Sequence, residues 1–275
     1  MERIKQAVEL ARAERKSAEA SSQANVPTRA DPDAVLADDL EQKDIEYSQT
    51  RVTTLDSNLL RDNKVIYGDS DREGLTAYKM LRTQVLQRMV AKGWNAMAIT
   101  SPASDDGKTL TAVNLAISLA RELHHTVLLV DLDLRKPSVH QYFGFEPEKG
   151  IDDYLLDGVA LSEVLVNPGV ERLVLLPVRR SIENSSELLA SPAMGRLVQE
   201  LKLRYPSRMV LFDLPPILAS DDALSFAPHV DALLLVLRDA KTTRNELEHA
   251  LEILQDVPIL GTVLNDSNEK ISTYY

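Results

Sequence analysis

From about residue 63 onward, apolar positions follow two alternating periods. The stretch "LTAYKMLRTQVLQRMV" (75–90) spaces them three and four apart, as a helix face does. Runs that are apolar throughout then alternate with amphipathic segments. "AMAIT" (96–100) reads as a strand and "LTAVNLAISLARELH" (110–124) as a helix; "TVLLVDLD" (126–133) is a strand. "DDYLLDGVALSEVLV" (152–166) reads as a helix and "RLVLLPV" (172–178) as a strand. "SPAMGRLVQELKLRY" (191–205) is a helix and "MVLFDLP" (209–215) a strand. "ALLLVLR" (232–238), "TRNELEHALEIL" (243–254) and "ILGTVLN" (259–265) close the series as strand, helix, strand. Strands without a polar face must be covered on both sides, and strands separated by helices run parallel. The expected fold is α/β, a doubly wound, mostly parallel sheet with helices on both faces. Ligands bind such sheets beyond the carboxyl ends of the strands.

The N-terminal quarter lacks this pattern. Residues 1–20 read as a charged helix with few large apolar residues (Ile4, Val8, Leu10), marginal by itself. Residues 21–62 have no clean period, and 31–46 hold seven acids and one lysine. They read as a mobile acidic linker. The expected organisation is a charged helix and partly disordered acidic linker (1–62), one folded domain (63–270) and a loose tail (271–275), since "NEKISTYY" has no core-forming pattern.

Composition narrows the chemistry. The absence of cysteine removes disulfides, thiolate metal sites and cysteine nucleophiles. A formal net charge of -11 argues against nucleic acid as the partner. The longest apolar runs, such as "ALLLVL" (232–237), fall short of the ~20 residues a membrane helix needs. "MERIKQAVELARAERK" lacks a signal peptide's apolar core. A cytoplasmic chain is expected, touching membrane only through a partner. His124, His125, His140, His229 and His249 have no metal-ligand spacing and read as surface or core residues, while Trp94 and Met97 read as packing residues.

"SPASDDGKT" (101–109) joins a predicted strand to a predicted helix and ends in Gly107-Lys108-Thr109. This is the setting of a phosphate loop: N–H groups at the helix start point at phosphate oxygens, the lysine reaches the terminal phosphates and the threonine holds Mg²⁺. Pro102 stands where the strict pattern has glycine, and Asp105 and Asp106 would repel a triphosphate unless they point away. The plain alternative is a strand-to-helix turn capped by an aspartate. Two further segments favour a Mg–nucleotide site. "VLLVDLDLRKP" (127–137) ends a strand with Asp131, Asp133 and Arg135, and "MVLFDLPP" (209–216) ends another with Asp213. In a parallel sheet these acids share a rim with Lys108 and Thr109. The fold then becomes a three-layer sandwich of the P-loop NTPase type.

"ITSPASDDGKTLTAVNLAISLA", "VLLVDLDLRKPSVHQYFG", "NSSELLASPAM", "VLFDLPPILASDDAL" and "ILGTVLN", followed by Tyr274-Tyr275, together resemble the bacterial tyrosine kinases of capsule and exopolysaccharide assembly, over residues 64 to 275. The resemblance is nearest to the exopolysaccharide-locus autokinases. It implies an ATP- and Mg²⁺-dependent autokinase that regulates polysaccharide synthesis and export. Ser104, Asp105, Asp106, Gly107, Lys108, Thr109 and Leu110 would wrap the phosphates, and Asn265 would lie near the adenine. Thr109, Asp131, Asp133 and Asp213 would serve the metal; one of Asp131 and Asp133 would orient or deprotonate the attacking tyrosine. Arg135 would steady its loop or the phosphates. Tyr274 and Tyr275 would be the acceptors, entering a neighbouring subunit. Partners implied are further copies of the chain and a membrane chain-length-determinant protein, a polysaccharide co-polymerase, whose cytosolic segment activates the kinase at the inner face of the membrane.

The sequence departs from that family at two places. Asp105 replaces a usual glycine, and Thr76, Lys79 and Arg82 replace the Glu-x-x-Arg-x-x-Arg of the oligomer helix. Two other functions remain open at this stage. One is a partitioning-type P-loop ATPase, disfavoured because no lysine lies between Trp94 and Lys108. The other is a nucleotide-binding regulatory subunit with little or no kinase activity.

Overall fold

The strands that carry the candidate acids lie at the centre of an eight-stranded sheet. The protein is described by a computed structural model covering residues 51–68, 71–122, 125–205 and 207–267. The strands are β1 (Arg51–Val52), β2 (Ala96–Thr100), β3 (Thr126–Asp131), β4 (Val166–Asn167), β5 (Leu173–Leu176), β6 (Arg208–Asp213), β7 (Ala232–Arg238) and β8 (Ile259–Asn265). Their order is β1-β4-β5-β3-β6-β2-β7-β8, and every pair is parallel except β4 with β5.

Because the central strands are apolar at every position, alternate residues feed two cores. Leu128 and Val130 of β3 enter one, and Val127 and Leu129 enter the other. The second core is covered by α1 (Ser57–Asp62), α2 (Arg72–Ala91), α3 (Lys108–Ala120) and α4 (Val139–Phe143). The first is covered by α5 (Ile151–Asp157), α6 (Leu161–Val164), α7 (Ser185–Leu189), α8 (Pro192–Leu203), α9 (Asp222–Phe226) and α10 (Arg244–Ile253). This is the expected three-layer, doubly wound architecture. Met97 is fully buried and Trp94 packs against the second core. His140 is buried beside Phe145, and His229 stacks near Phe226.

Three sequence expectations meet a different outcome. The single helix over 152–166 is two short helices and a strand. Gly158 adopts φ 69° and ends α5, a turn that glycine makes without strain, and Val166 then enters the sheet. Residues 51–62, expected in the acidic linker, are part of the fold. Arg51 and Val52 pair with Val166 and Asn167, and Leu60 of α1 is buried against the second core. The helix over 110–124 ends at Ala120. The readings for residues 1–50, and for the tail tyrosines Tyr274 and Tyr275, fall outside the described residues.

Candidate functional site

The sheet register sets the site. Ile99 pairs with Asp213, and Asp131 pairs with the same Asp213 from the other side, so the ends of β2, β6 and β3 lie next to one another. α3 starts at Lys108 directly above them. Its N-cap is Gly107, at φ 90°, and no side chain caps the helix. The capping-aspartate alternative therefore fails: Asp106 turns back and accepts from the Ala103 N–H at 3.1 Å. Asp105, with φ 63°, takes the left-handed conformation that glycine would hold more cheaply. Its side chain is 84% exposed and points toward Lys241 at 3.6 Å. Asp105 thus points out of the loop, whereas Asp106 is buried against the loop's own Ala103 N–H, with its Oδ1 unpartnered.

Lys108 folds over the strand ends. Its Nζ is 2.9 Å from Asp133 Oδ2, 3.5 Å from Asp213 Oδ2 and 3.1 Å from Thr109 Oγ1. The Thr109 hydroxyl donates to Asp213 Oδ2 at 2.6 Å. Asp213 Oδ1 is buried and has no hydrogen-bond partner. Burial raises the pKa of Asp213 against the pull of Lys108 and Thr109. Burial also raises Asp131, with Asp213 adding to the push, to about 7. Burial opposes the charge on Lys108, but Asp213, Asp133 and Asp131 outweigh it and its pKa is raised. One ammonium thus faces three carboxylates, two of which resist ionising. Such a cluster is short of positive charge.

The acids are not a ready-made metal cage. Among the described residues no group of three or more acidic or histidine side chains has metal-holding geometry. Lys108 lies between Asp133 and Asp213, and Asp131 is occupied by backbone. Its Oδ1 accepts from the Asp133 N–H at 3.1 Å, and its Oδ2 from the Ser138 and Val139 N–H groups at 3.0 Å each. In this state Asp131 organises the loop after β3, while Thr109 and Asp213 offer the open oxygens.

Arg135 is not in the Lys108 cluster. It donates to Ser185 Oγ at 2.8 Å and to Asp222 Oδ2 at 3.2 Å, and Ser185 Oγ donates to Asp222 at 2.7 Å. Ser185 and Asp222 are fully buried, so Arg135 pins the β3 loop to α7 and α9. Its contacts are those of a residue that steadies the loop. Leu110 faces a pocket of about 350 Å³ shared with Ser138 and Tyr142. Asn265 touches the phosphate loop itself, donating to the Asp106 carbonyl at 3.0 Å. The sequence reading missed Ser185, Asp222, Arg238 and Lys241. It also missed Tyr142, whose hydroxyl pKa is raised by burial and then by Asp213. The register of β7, with Leu235 beside Thr100, carries that strand's end and Arg238 past the phosphate loop, a placement no sequence signal gives.

Residues 97–273 match the model of the CobQ/CobB/MinD/ParA nucleotide binding domain. The chain is similar to the tyrosine-protein kinase YwqD of Bacillus subtilis, 34% identical over 68% of this chain and 79% of that protein. It is also similar to the putative tyrosine-protein kinase EpsB of Ralstonia solanacearum, 32% identical over 71% of this chain. That match spans 26% of EpsB, so the chain covers about a quarter of this longer relative. Among solved structures, the kinase domain of VpsO superposes with a TM-score of 0.64 at 31% identity, covering 74% of this chain and 100% of that one. The kinase domain of Escherichia coli tyrosine kinase ETK gives 0.64 at 29% identity, covering 73% and 80%.

Proposed function

This chain belongs to the CobQ/CobB/MinD/ParA nucleotide-binding family, among the bacterial tyrosine kinases, and we propose that it transfers the γ-phosphoryl group of ATP to tyrosine hydroxyls with Mg²⁺ as the metal. The observation that carries this reading is the convergence of Lys108, Thr109, Asp133 and Asp213 at adjacent strand ends under an uncapped helix start.

The residues present fit the two ligands. Thr109 Oγ1 and the unpartnered Asp213 Oδ1 are hard oxygen donors suited to Mg²⁺, which keeps several waters of its own. When bound, the metal supplies positive charge to the β- and γ-phosphate oxygens. Lys108 leaves Asp133 for the same oxygens. The backbone of residues 104–110 cradles the phosphates. A tyrosine oxygen then bonds to the γ-phosphorus, the bond from that phosphorus to the β–γ bridging oxygen breaks, and ADP leaves. The phenolic proton passes to one of Asp131 and Asp133; Asp133 Oδ2 is freed when Lys108 moves, whereas both Asp131 oxygens accept backbone N–H groups. Asp133, once released by Lys108, orients the acceptor or the metal's waters. Positioning and charge neutralisation suffice for this reaction.

The acceptors in this proposal are Tyr274 and Tyr275, presented in trans between subunits of a homo-oligomer. A membrane chain-length protein completes the active state through its cytosolic segment and brings the cytoplasmic chain to the membrane. No helix among the described residues is long and apolar enough to cross a membrane. The left-handed Asp105 supports one competing reading, a nucleotide-dependent switch with little transfer activity. Incubation with labelled ATP and Mg²⁺, with and without the partner's cytosolic segment, separates the two. Label on Tyr274 or Tyr275 that disappears in Lys108→Met supports the kinase. Nucleotide binding without label under either condition supports the switch.

A further inference from the structure

Three consecutive carbonyls of the phosphate loop are held from outside by side chains of the β7–β8 region. Lys241 Nζ donates to the Ser104 carbonyl at 3.1 Å, Arg238 Nη1 to the Asp105 carbonyl at 3.1 Å, and Asn265 Nδ2 to the Asp106 carbonyl at 3.0 Å. The supports are themselves fixed. Arg238 also binds Asp266 through Nε at 3.0 Å and Nη2 at 2.8 Å. The turn between Arg238 and Lys241 is pinned where the Arg238 N–H donates to Thr242 Oγ1 at 2.7 Å.

In a trans peptide the C=O and the next N–H point in opposite directions. Drawing the carbonyls of residues 104, 105 and 106 toward β7 and β8 therefore turns the N–H groups of Asp105, Asp106 and Gly107 the other way. A phosphate cradle consists of such N–H groups on one concave side. The same clasp answers the charge problem at residue 105. Lys241 stands 3.6 Å from the Asp105 carboxylate, so the acid that replaces the usual glycine has a cation beside it.

We propose that Arg238 and Lys241 are nucleotide-positioning residues, holding the loop's N–H groups toward the phosphates, and that Lys241 also offsets Asp105 as a source of repulsion. The ligand class is a nucleoside di- or triphosphate with Mg²⁺, so the inference rests on the nucleotide-binding reading above. Both roles act through the loop and neither residue takes part in the chemistry.

The test is a binding titration of the full chain with a fluorescent ADP analogue and Mg²⁺, at low and high salt. Arg238→Ala is expected to raise Kd about tenfold, because the clasp loses a charge-assisted bond. Lys241→Ala is expected to raise it about threefold to fivefold at low salt, and less at high salt, where an exposed charge is screened. The decisive measurement is a double-mutant cycle. With Asp105→Gly in place, Lys241→Ala should raise Kd by less than it does in the parent, since the carboxylate it offsets is gone and only its bond to the Ser104 carbonyl is lost. Equal losses in both backgrounds would overturn the pairing of Lys241 with Asp105. Unchanged binding in Arg238→Ala and Lys241→Ala, together with loss of binding in Lys108→Ala, overturns this inference alone. Failure of the unaltered chain to bind overturns the nucleotide reading as well. Arg238→Gln is the second variant should Arg238→Ala melt earlier than the parent.

Discussion

Asp131, Asp133 and Asp213 stand at the ends of β3 and β6 around one ammonium. Asp152, Asp153 and Asp157 stand on α5, beside the exit of β5, around the guanidinium groups of Arg179 and Arg180. Both trios lie on the same rim of the sheet, yet their electrostatics are opposite. In the second group each acid pairs with an arginine. Asp152 binds Arg180 at 3.0 Å and the Arg179 N–H at 2.8 Å, and Asp153 takes both arginines as well as the Gly150 N–H. Arg179 holds the Asp153 carboxyl below its usual range. In the first group burial drives Asp131 and Asp213 upward, and one oxygen of Asp213 has no partner. Identical residue types thus make a closed structural knot in one place and an open, cation-seeking site in the other. What separates them is the number of cations, one ammonium in the first group against two guanidinium groups in the second.

The strongest way to break this contrast is to remove the lone ammonium. Lys108→Met is expected to lower tyrosine phosphorylation at least ~100-fold, the scale of losing a main charge stabiliser of the transition state. Phosphotyrosine blotting checks it, and substantial activity in that variant would end the assignment of Lys108. Asp213→Asn should also reduce transfer by about 100-fold but make the chain more heat-stable in chelator at pH 8, because a buried charge is gone. The same change in the arginine-held group, Asp153→Asn, should lower the melting temperature, so the two variants test the contrast by sign.

A smaller effect is read from pH. The folded pKa of Asp131 is raised from 3.8 to about 7, so the folded state binds the extra proton between those values. The stability this contributes is full below pH 3.8 and is lost as pH rises through 7. Denaturant titrations in chelator should therefore show the stability of the parent falling relative to Asp131→Asn across that window, by a few kcal/mol at most. Adding Mg²⁺ should narrow the gap. Asp153, whose pKa is lowered, runs the other way: its stabilisation exists above the ordinary carboxylate range and is lost as pH falls below it. The smallest effect belongs to Arg179→Ala. It should cost a few degrees of melting temperature at neutral pH, and less at pH 3, with turnover within about twofold of the parent.

Much of this was legible from local pattern. β2, β7 and β8 match the apolar runs at 96–100, 232–238 and 259–265; β2 is buried on both faces and has little else to report, while β8, at the sheet edge, is only half-buried. The gathering of Lys108, Thr109, Asp133 and Asp213 followed from parallel order alone, which puts every strand's carboxyl end on one rim. The rest depended on information the pattern does not hold. Val166 and Asn167 continue a helical-looking stretch, and pairing with Arg51 and Val52, far away in sequence, draws them into the sheet. The acidic run at 31–46 hid the folded residues just after it, where Leu60 is buried. Arg238 and Lys241 bind backbone carbonyls more than 130 positions away, and carbonyls have no sequence signature. Arg135 was expected to steady its loop or the phosphates, and the anchors it has, Ser185 and Asp222, come from two other elements.

The contact between Gly107 and Asn265 also constrains how this loop can change by mutation. A Cβ at residue 107 would lie 2.0 Å from the Asn265 amide nitrogen, so any side chain there would push that amide off the Asp106 carbonyl. Shortening Asn265 would clear the space but leave residue 107 at φ 90°, still unwelcoming to anything except glycine. Two obstacles, one steric and one conformational, therefore guard the same position, and any replacement of glycine there meets both.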